Sequence, residues 1–226
     1  MKWGPPTGMD EYLKPTKLCD CDHDEVKDKA QELAKDAGTP KEAAIRIFNF
    51  VRDQILFGFN RLNAKASETL KGGIGFCITK SNLQLALLRA TGIPARYHQF
   101  VLRRESLKDL VPNFFYSRVP ERIPWHTWCE CHLSGKWVEC EPLFDKGLYN
   151  AACKKDIIRK EQLPNIDWDG EHNLTMVAAF VLEDKGTFHN LDDEFEKAYE
   201  ETKLPCIISG IVLHFTNRHT NKLRQG

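Results

Sequence analysis

Apolar residues recur at the spacing of an α-helix in three stretches of the first half of the chain. The three apolar faces are Val26, Ala30, Leu33, Ala34 and Ala37, then Ala43, Ile47, Phe48, Val51 and Ile55, then Leu83, Ala86, Leu87 and Ala90. Residues that cap or stop helices flank each stretch. The expected caps and stops are Asp22 and Gly38 for the first helix, Thr39 followed by Pro40 for the second, and Gly92 for a third helix over about 77–91.

The pattern changes after Gly92 from the period of a helix to that of strands. The expected strands are ARYHQFVL, then WHTWCECHL and KWVECEPLF joined by Ser134-Gly135, then LTMVAAFVLE. A two-residue Ser-Gly connection between such runs is typical of a β-hairpin. Residues 104–124 are expected to form a long loop, and residues 192–203 a charged surface helix. Helices followed by strands favour an α+β domain with an antiparallel sheet.

The hairpin predicts which side chains meet, because side chains alternate between the two faces of a strand. If Ser134 and Gly135 form the turn, Cys129 lies opposite Cys140. The members of one predicted face are then His126, Trp128, Glu130, Glu141 and Asp145, and those of the other are Thr127, Cys129, Cys131, Leu133, Val138 and Cys140. Glu141 and Asp145 flank the position opposite His126, so either carboxylate is a candidate to orient its imidazole.

The composition restricts the classes of function. The chain has 226 residues with 32 basic and 32 acidic side chains, so no net charge attracts it to nucleic acid or to a membrane surface. Its start carries prolines and charges rather than the apolar core of a signal peptide, and we expect a cytoplasmic protein. The expected organisation is an extended arm over 1–21, a core over 22–154, and a C-terminal extension over 155–226 that completes or flanks the sheet.

Eight cysteines is a fairly high count, but the chain is too long and too rich in core residues to be a disulfide scaffold, so buried thiols, metal ligands or a nucleophile are expected. Cys77 follows GGIGF and begins the third predicted helix. The dipole and free N–H groups of a helix start lower a thiol pKa, although the spacing by itself favours a small buried residue at this position. Cys19 and Cys21 lack the second ligand pair of a metal site, and Cys129 and Cys140 are expected to be buried thiols.

Two segments resemble the transglutaminase-like superfamily. The run GGIGFCITKSNLQLALLRATGIPARYH is similar to its nucleophile segment, in which Gly-x-Cys opens a helix that closes with GIPAR. The run WHTWCECHLSGKWVECEP is similar to its second segment, with His-x-Trp-x-Glu, a turn, a Trp and an acidic residue before Pro. The resemblance covers roughly residues 10–150 and implies a papain-like α+β fold, with the cysteine helix packed on an antiparallel sheet.

The resemblance also implies roles for individual residues. Cys77 is the expected nucleophile and His126 the expected base. Glu141 stands where the family usually has Asp before Pro, so Asp145 is retained as an alternative third member. The residues expected to contact substrate are Trp125, Trp128 and Gly75.

The expected activity is that of a peptidase or amidase that works through a thioester on a peptide or protein amide, with no cofactor and no metal. The first alternative is an acyl transferase that passes the acyl group to an amine. The second is a catalytically silent peptide-binding module, because the superfamily contains inactive members. The sequence alone does not distinguish water from an amine as the acceptor.

Overall fold

A computed structural model describes residue 3 and residues 7–202 and 206–225. The helices are α1 (Asp24–Ala34), α2 (Pro40–Gln54), α3 (Ala66–Gly72), α4 (Cys77–Thr91), α5 (Asn113–Tyr116), α6 (Lys146–Lys154), α7 (Asp192–Thr202) and α8 (Cys206–Arg224). The strands are β1 (Leu56–Phe57), β2 (Ile74–Gly75), β3 (Ala95–Arg103), β4 (Arg122–Leu133), β5 (Lys136–Cys140) and β6 (Val181–Phe188). None of the described helices is long and apolar enough to cross a membrane.

The first three predicted helices form, with a change at each end of α1. The prediction that Gly38 ends α1 is wrong, because the chain turns at Lys35, whose N–H bonds to the Glu32 carbonyl, and the helix ends at Ala34. Thr39 caps α2 by accepting a 3.2 Å hydrogen bond from the Glu42 N–H, and Gly92 ends α4 in the left-handed conformation, as predicted. The prediction that Asp22 caps α1 is wrong. His23 is the N-cap, because its N–H bonds to the Asp20 carbonyl and closes a turn that keeps Asp22 outside the helix.

Four strands form an antiparallel sheet in the order β5-β4-β3-β6, which confirms the α+β class. Ser134 and Gly135 both have positive φ, 50° and 84°, which is the geometry of a two-residue hairpin turn. The predicted register is confirmed, since Cys129 pairs with Cys140 and Leu133 pairs with Lys136.

The strands differ from the prediction in three places. β4 begins at Arg122, inside the expected 104–124 loop, because Arg122 and Ile123 pair with β3. The second hairpin strand ends at Cys140, and Glu141 continues into a short contact with Leu174 rather than along β4. The strand expected over residues 174–183 is displaced to Val181–Phe188. The physical reason is that the N–H groups of Met176 and Val177 bond to the Glu141 carboxylate, so this stretch does not join a strand ladder.

Helix α4 is the buried centre of the molecule. It lies against β4 and β3 on one side and against α1, α2 and α3 on the other. Polar groups fix its position, since Ser81 donates to the Thr127 carbonyl at 3.0 Å and Asn82 accepts from the Tyr97 hydroxyl at 2.6 Å. Buried hydrogen bonds of this kind hold the helix in one register on the sheet.

The chain ends of the described protein pack on this core. In the predicted arm, residues Asp10–Leu13 form a short 3₁₀ helix and Cys19 is fully buried, whereas Pro5 and Pro6 lie outside the described residues. At the other end the charged helix predicted over 192–203 is present as α7, and its predicted last residue, Lys203, lies outside the described residues. Helix α8 was not predicted and packs against α6.

Candidate active site

Cys77 is the first residue of α4. Phe76 before it has extended backbone, with φ −125° and ψ −169°, and its N–H bonds to the Thr79 hydroxyl at 3.1 Å. This capping contact begins the helix at Cys77, where the first N–H groups have no acceptor within the helix. The thiol is partly exposed, in contrast to the buried residues that follow it. It therefore combines access to solvent with the positive end of the helix dipole.

His126 lies on β4 and is 4% exposed. Its Nε2 is 2.9 Å from Glu141 Oε1, and its ring lies beside the Cys77 sulfur at the same cavity. Burial alone would lower the pKa of His126. The charge and hydrogen bonding of the Cys77 sulfur, followed by those of Glu141, instead raise this pKa to about 10. The arrangement therefore favours a protonated His126 imidazole at neutral pH.

Glu141 follows the end of β5 and is 1% exposed. One carboxylate oxygen bonds to His126, and the other accepts the N–H groups of Met176 and Val177. The Glu141 N–H in turn donates to the Leu174 carbonyl at 2.9 Å. Hydrogen bonds of the Glu141 backbone and of the Met176 and Val177 N–H groups thus fix the carboxylate that faces the imidazole. The structure brings Cys77, His126 and Glu141 together.

Asp145, the alternative third member, has a different set of partners. It is the N-cap of α6 and accepts the Leu148 N–H at 2.9 Å. It also accepts the Phe57 N–H at 3.0 Å and bonds to the Arg224 guanidinium at 2.7 Å. Both carboxylate oxygens are occupied by these contacts, so Asp145 joins α6, β1 and α8 instead of orienting His126.

The other described cysteines differ from Cys77. Burial raises the pKa of Cys19 to about 12 and that of Cys21 to about 11. It also raises the pKa of the three hairpin cysteines, Cys129, Cys131 and Cys140, which are free thiols in the core. Cys153 shares the partial exposure of Cys77. Cys77 is thus distinguished by its contact with a buried histidine.

A cavity of about 120 Å³ opens beside Cys77 and His126. Its wall is built from β1, the start of α4, the 102–110 segment and the turn after β5. The lining side chains, besides Cys77 and His126, are Phe57, Phe59, Leu62, Phe76, Ile78, Leu102, Ser106, Leu107, Leu110, Ile123, Trp125, Leu143, Phe144 and Val177. A concave apolar site with a few convergent polar groups has the usual composition of a ligand pocket.

The three residues expected to contact substrate lie in different places. Trp125 lines the cavity. Trp128 does not, because it is 2% exposed, stacks on Phe100 at 3.8 Å between ring centroids and donates to Glu139. Gly75 is buried in β2, where an added Cβ would lie 2.9 Å from Lys80 Cγ. The glycine therefore provides room for the helix start that carries Cys77.

One set of side chains in the described part of the chain has the geometry of metal ligands. His98, Glu130 and Glu139 place their donor atoms within 4.8 Å of one another. Trp128 separates this cluster from the active site, because its ring lies 5.9 Å from His98 and 5.7 Å from His126. Arg96 pairs with Glu130 at 2.6 Å. We assign the cluster to an ion-pair network in the sheet and give it no part in the chemistry.

Two supports of the site were not foreseen from the sequence. The 174–177 segment holds Glu141, and its only signal in the sequence is an apolar run, which predicts a plain strand. Helix α8 holds the cavity wall, since Asn217 makes two bonds to the Phe59 backbone, at 2.7 and 2.9 Å. Contacts between residues more than 150 positions apart leave no local pattern in the chain.

Comparison with known proteins agrees with this geometry. The sequence model of the transglutaminase-like superfamily matches residues 27–142, about half of the chain, and this range contains Cys77, His126 and Glu141. No curated protein matches the chain significantly.

A solved structure shows a similar fold. A protein from Cytophaga hutchinsonii described as a "putative cysteine protease" aligns at a TM-score of 0.51 with 18% identity, over 83% of this chain and 49% of its own. This chain thus spans about half the length of that protein. A "putative protease" from Parabacteroides distasonis aligns at a TM-score of 0.39 with 15% identity, over 58% of this chain and 24% of its own.

Proposed function

This chain belongs to the transglutaminase-like superfamily, and we propose that it is a cysteine-dependent enzyme that acts on amide bonds. The proposal assigns Cys77 as nucleophile, His126 as general acid and base, and Glu141 as the residue that orients His126. The observation that carries it is the contact of one buried imidazole with both the Cys77 sulfur and the Glu141 carboxylate. This is the arrangement that nucleophilic catalysis by a thiol requires.

The first half of the reaction forms a thioester. The Cys77 thiolate attacks the amide carbonyl, and the N–H groups at the start of α4, that of Cys77 among them, stabilise the oxyanion that develops. The C–N bond then breaks, and the leaving nitrogen takes the proton held by His126. The product amine departs, and the acyl group remains on the Cys77 sulfur.

The second half releases the acyl group. Neutral His126 takes a proton from water as the water oxygen attacks the thioester carbonyl. The C–S bond breaks, the carboxylic acid product leaves and gives its remaining proton to solvent, and the thiolate–imidazolium pair is restored. Hydrolysis requires only water, and we propose it as the main activity, that of a peptidase or amidase.

Acyl transfer to an amine is the second candidate. The observation that favours it is the apolar lining of the cavity beside Cys77, because an apolar wall lowers the local concentration of water near a thioester. In this case an amine takes the place of water in the second half-reaction. A silent peptide-binding module is the third candidate, and it predicts no thioester at all.

One experiment separates the three candidates. The enzyme is incubated with a peptide mixture in ¹⁸O-labelled water, with and without a fluorescent primary amine, and the products are read by mass spectrometry. Hydrolysis places one ¹⁸O atom in each new carboxylate, whereas acyl transfer attaches the amine. The Cys77→Ala variant is the control. Equal product in the wild type and in this variant would contradict both enzymatic proposals.

A further inference from the structure

The cavity beside Cys77 is lined almost entirely by apolar side chains. Among the residues that line it, the polar side chains are Ser106, His126 and Cys77, and no Lys, Arg, Asp or Glu is present. The His126 ring is already paired with Glu141 and lies beside Cys77, so a further charged group placed there would lose its water without gaining a free charge partner. An apolar group would lose unfavourable contact with water instead. The lining therefore selects for apolar ligands.

The size of the cavity sets the size of the group it accepts. A volume of about 120 Å³ is slightly smaller than an engineered apolar cavity of roughly 150 Å³ that binds benzene in another protein. A phenyl ring or a branched chain of four carbons matches this space. An indole exceeds it, and a methyl group leaves most of it unfilled.

The walls of the cavity are held in place. The ring centroids of Phe57 and Phe144 lie 5.5 Å apart, and those of Phe59 and Phe76 lie 5.6 Å apart. The backbone at Phe57 and Phe59 is bonded to Asp145 and Asn217. A pocket already formed in the free protein binds without the entropic cost of ordering its walls.

The position of the cavity identifies the part of the substrate that would occupy it. The acyl part of the substrate occupies the site through both half-reactions and is bonded to the Cys77 sulfur between them, whereas the leaving amine departs and is replaced by the acceptor. A cavity walled by several helices and strands is suited to bind the acyl part of the substrate, which remains in the site.

We propose that this cavity is a specificity subsite that binds the side chain next to the scissile carbonyl and selects phenylalanine- or leucine-sized apolar groups. The inference rests on the proposed function, because it takes Cys77 as the nucleophile. Burying such a side chain increases kcat/KM by about 10- to 100-fold over glycine, since one buried Leu or Phe contributes roughly 1.5–3 kcal/mol.

The test uses N-acetyl amino-acid p-nitrophenyl esters of Gly, Ala, Leu, Phe, Trp, Lys and Glu. Acylation of Cys77 is followed by release of nitrophenol, corrected for the hydroxide rate of each ester, and by mass spectrometry. We expect Phe and Leu to exceed Gly by about 10- to 100-fold and to exceed Lys and Glu by more.

Cavity variants test the location of the subsite. Leu110 is 3% exposed and lines the cavity, so Leu110→Ala is expected to shift the preference toward Trp. Leu182 is 44% exposed on β6, and Leu182→Ala is the matched control that leaves the preference unchanged. Should Leu110→Ala fail to fold, the ester series on the wild type still decides the inference.

The outcomes separate the subsite from the proposed function. Acylation of Cys77 at similar corrected rates by all esters, or a preference for Lys or Glu, would overturn the subsite and leave the nucleophile in place. Failure of every ester to acylate Cys77 would overturn both. A Phe and Leu preference that Leu110→Ala alters and Leu182→Ala does not would support the subsite.

Discussion

At the scale of single residues, Glu141 and Asp145 differ in their partners rather than in their chemistry. Both are buried carboxylates near the end of β5. Glu141 bonds to His126 and to two backbone N–H groups, whereas Asp145 bonds to Arg224, Leu148 and Phe57. Each set of partners predicts a different consequence of neutralising the carboxylate.

We expect Glu141→Gln to lower kcat by about 10²-fold or more, because the neutral amide no longer stabilises the imidazolium of His126. The same change is expected to lower the pKa of His126, since the Glu141 charge contributes to raising it. The pH profile of Cys77 alkylation measures this shift. Asp145→Asn serves as the comparison, and it is expected to lower Tm while keeping that pH profile. The reverse pattern would assign the third role to Asp145.

Gly75 supports the site because, having no side chain, it leaves room for the first turn of α4. A Cβ at this position would lie 2.9 Å from both Lys80 Cγ and Thr79 Oγ1. Lys80 has little freedom to move away, because its buried ammonium donates to the carbonyls of Arg52 and Ile55. Burial also lowers the pKa of Lys80 to about 7.

Gly75→Ala is therefore expected to destabilise the protein by about 1–3 kcal/mol, the usual cost of overpacking. Urea unfolding measures the change. Gly72→Ala is the matched control, since a Cβ there meets nothing within 4 Å and Ala favours the helix. Equal stability of the two variants would show that the space at Gly75 has no structural role.

At the scale of elements, one histidine connects all four strands of the main sheet. His98 on β3 bonds through Nδ1 to Glu130 on β4 at 2.7 Å and to Glu139 on β5 at 3.2 Å. Its Nε2 bonds to Asp184 on β6 at 2.9 Å. Burial alone would lower the pKa of His98, but the three carboxylates raise it to about 10. The charged imidazole thus links the strands electrostatically.

The sign of the pH dependence follows from this shift. The folded pKa of His98 lies above its unfolded value of about 6.5, so its contribution to stability is complete below pH 6.5 and declines as pH rises toward 10. We expect the Tm difference between wild type and His98→Gln to shrink from pH 6 to pH 10. A loss of about 1 kcal/mol corresponds to about 2–4 °C. A difference that stays constant or grows would refute the link.

Helix α8 is joined to the core by a buried ion pair. The Arg224 guanidinium bonds to Asp145 at 2.7 Å and to the Phe57 carbonyl, with side-chain exposures of 12% and 3% for Arg224 and Asp145. Bonds from Arg224, and from the N–H groups of Leu148 and Phe57, hold the pKa of Asp145 below its usual value despite its burial.

Arg224→Gln is expected to destabilise the protein by about 3–5 kcal/mol, because it leaves a buried carboxylate without its charge partner. Arg61→Gln removes an ion pair with Glu68 whose side chains are 53% and 47% exposed, and it is expected to cost at most about 1 kcal/mol. Urea unfolding compares the two variants. Similar losses would mean that the Arg224 contact contributes no more than a surface pair.

At the scale of the whole molecule, the elements that the sequence predicts correctly are those whose ends are set by neighbouring residues. The caps at Thr39 and Gly92 and the Ser134-Gly135 turn are set by neighbouring residues, so α2, α4 and the hairpin register are confirmed. The confirmed α4 begins at Cys77, so the nucleophile candidate lies at a helix start.

What the sequence missed depends on contacts across the fold. Asp22 does not cap α1, because a turn closed by the His23 N–H and the Asp20 carbonyl places it outside the helix. Residues 174–177 do not form the predicted strand, because the N–H groups of Met176 and Val177 bond to the Glu141 carboxylate. Helix α8 contacts the backbone of Phe57 and Phe59 through Arg224 and Asn217, which are distant from them in the sequence. No local pattern encodes which carboxylate a distant N–H or guanidinium will meet.

The most direct test of the account is the rate of Cys77 alkylation by iodoacetamide as a function of pH, followed by mass spectrometry. Cys153, which is also partly exposed, is the internal comparison, and His132→Ala on the same strand is the control for His126→Ala. An activated thiolate at Cys77 predicts rapid labelling of Cys77 well below pH 8, faster than that of Cys153, and slower labelling in His126→Ala alone. Labelling of Cys77 no faster than Cys153, with a pH profile that His126→Ala leaves unchanged, would contradict an activated thiolate.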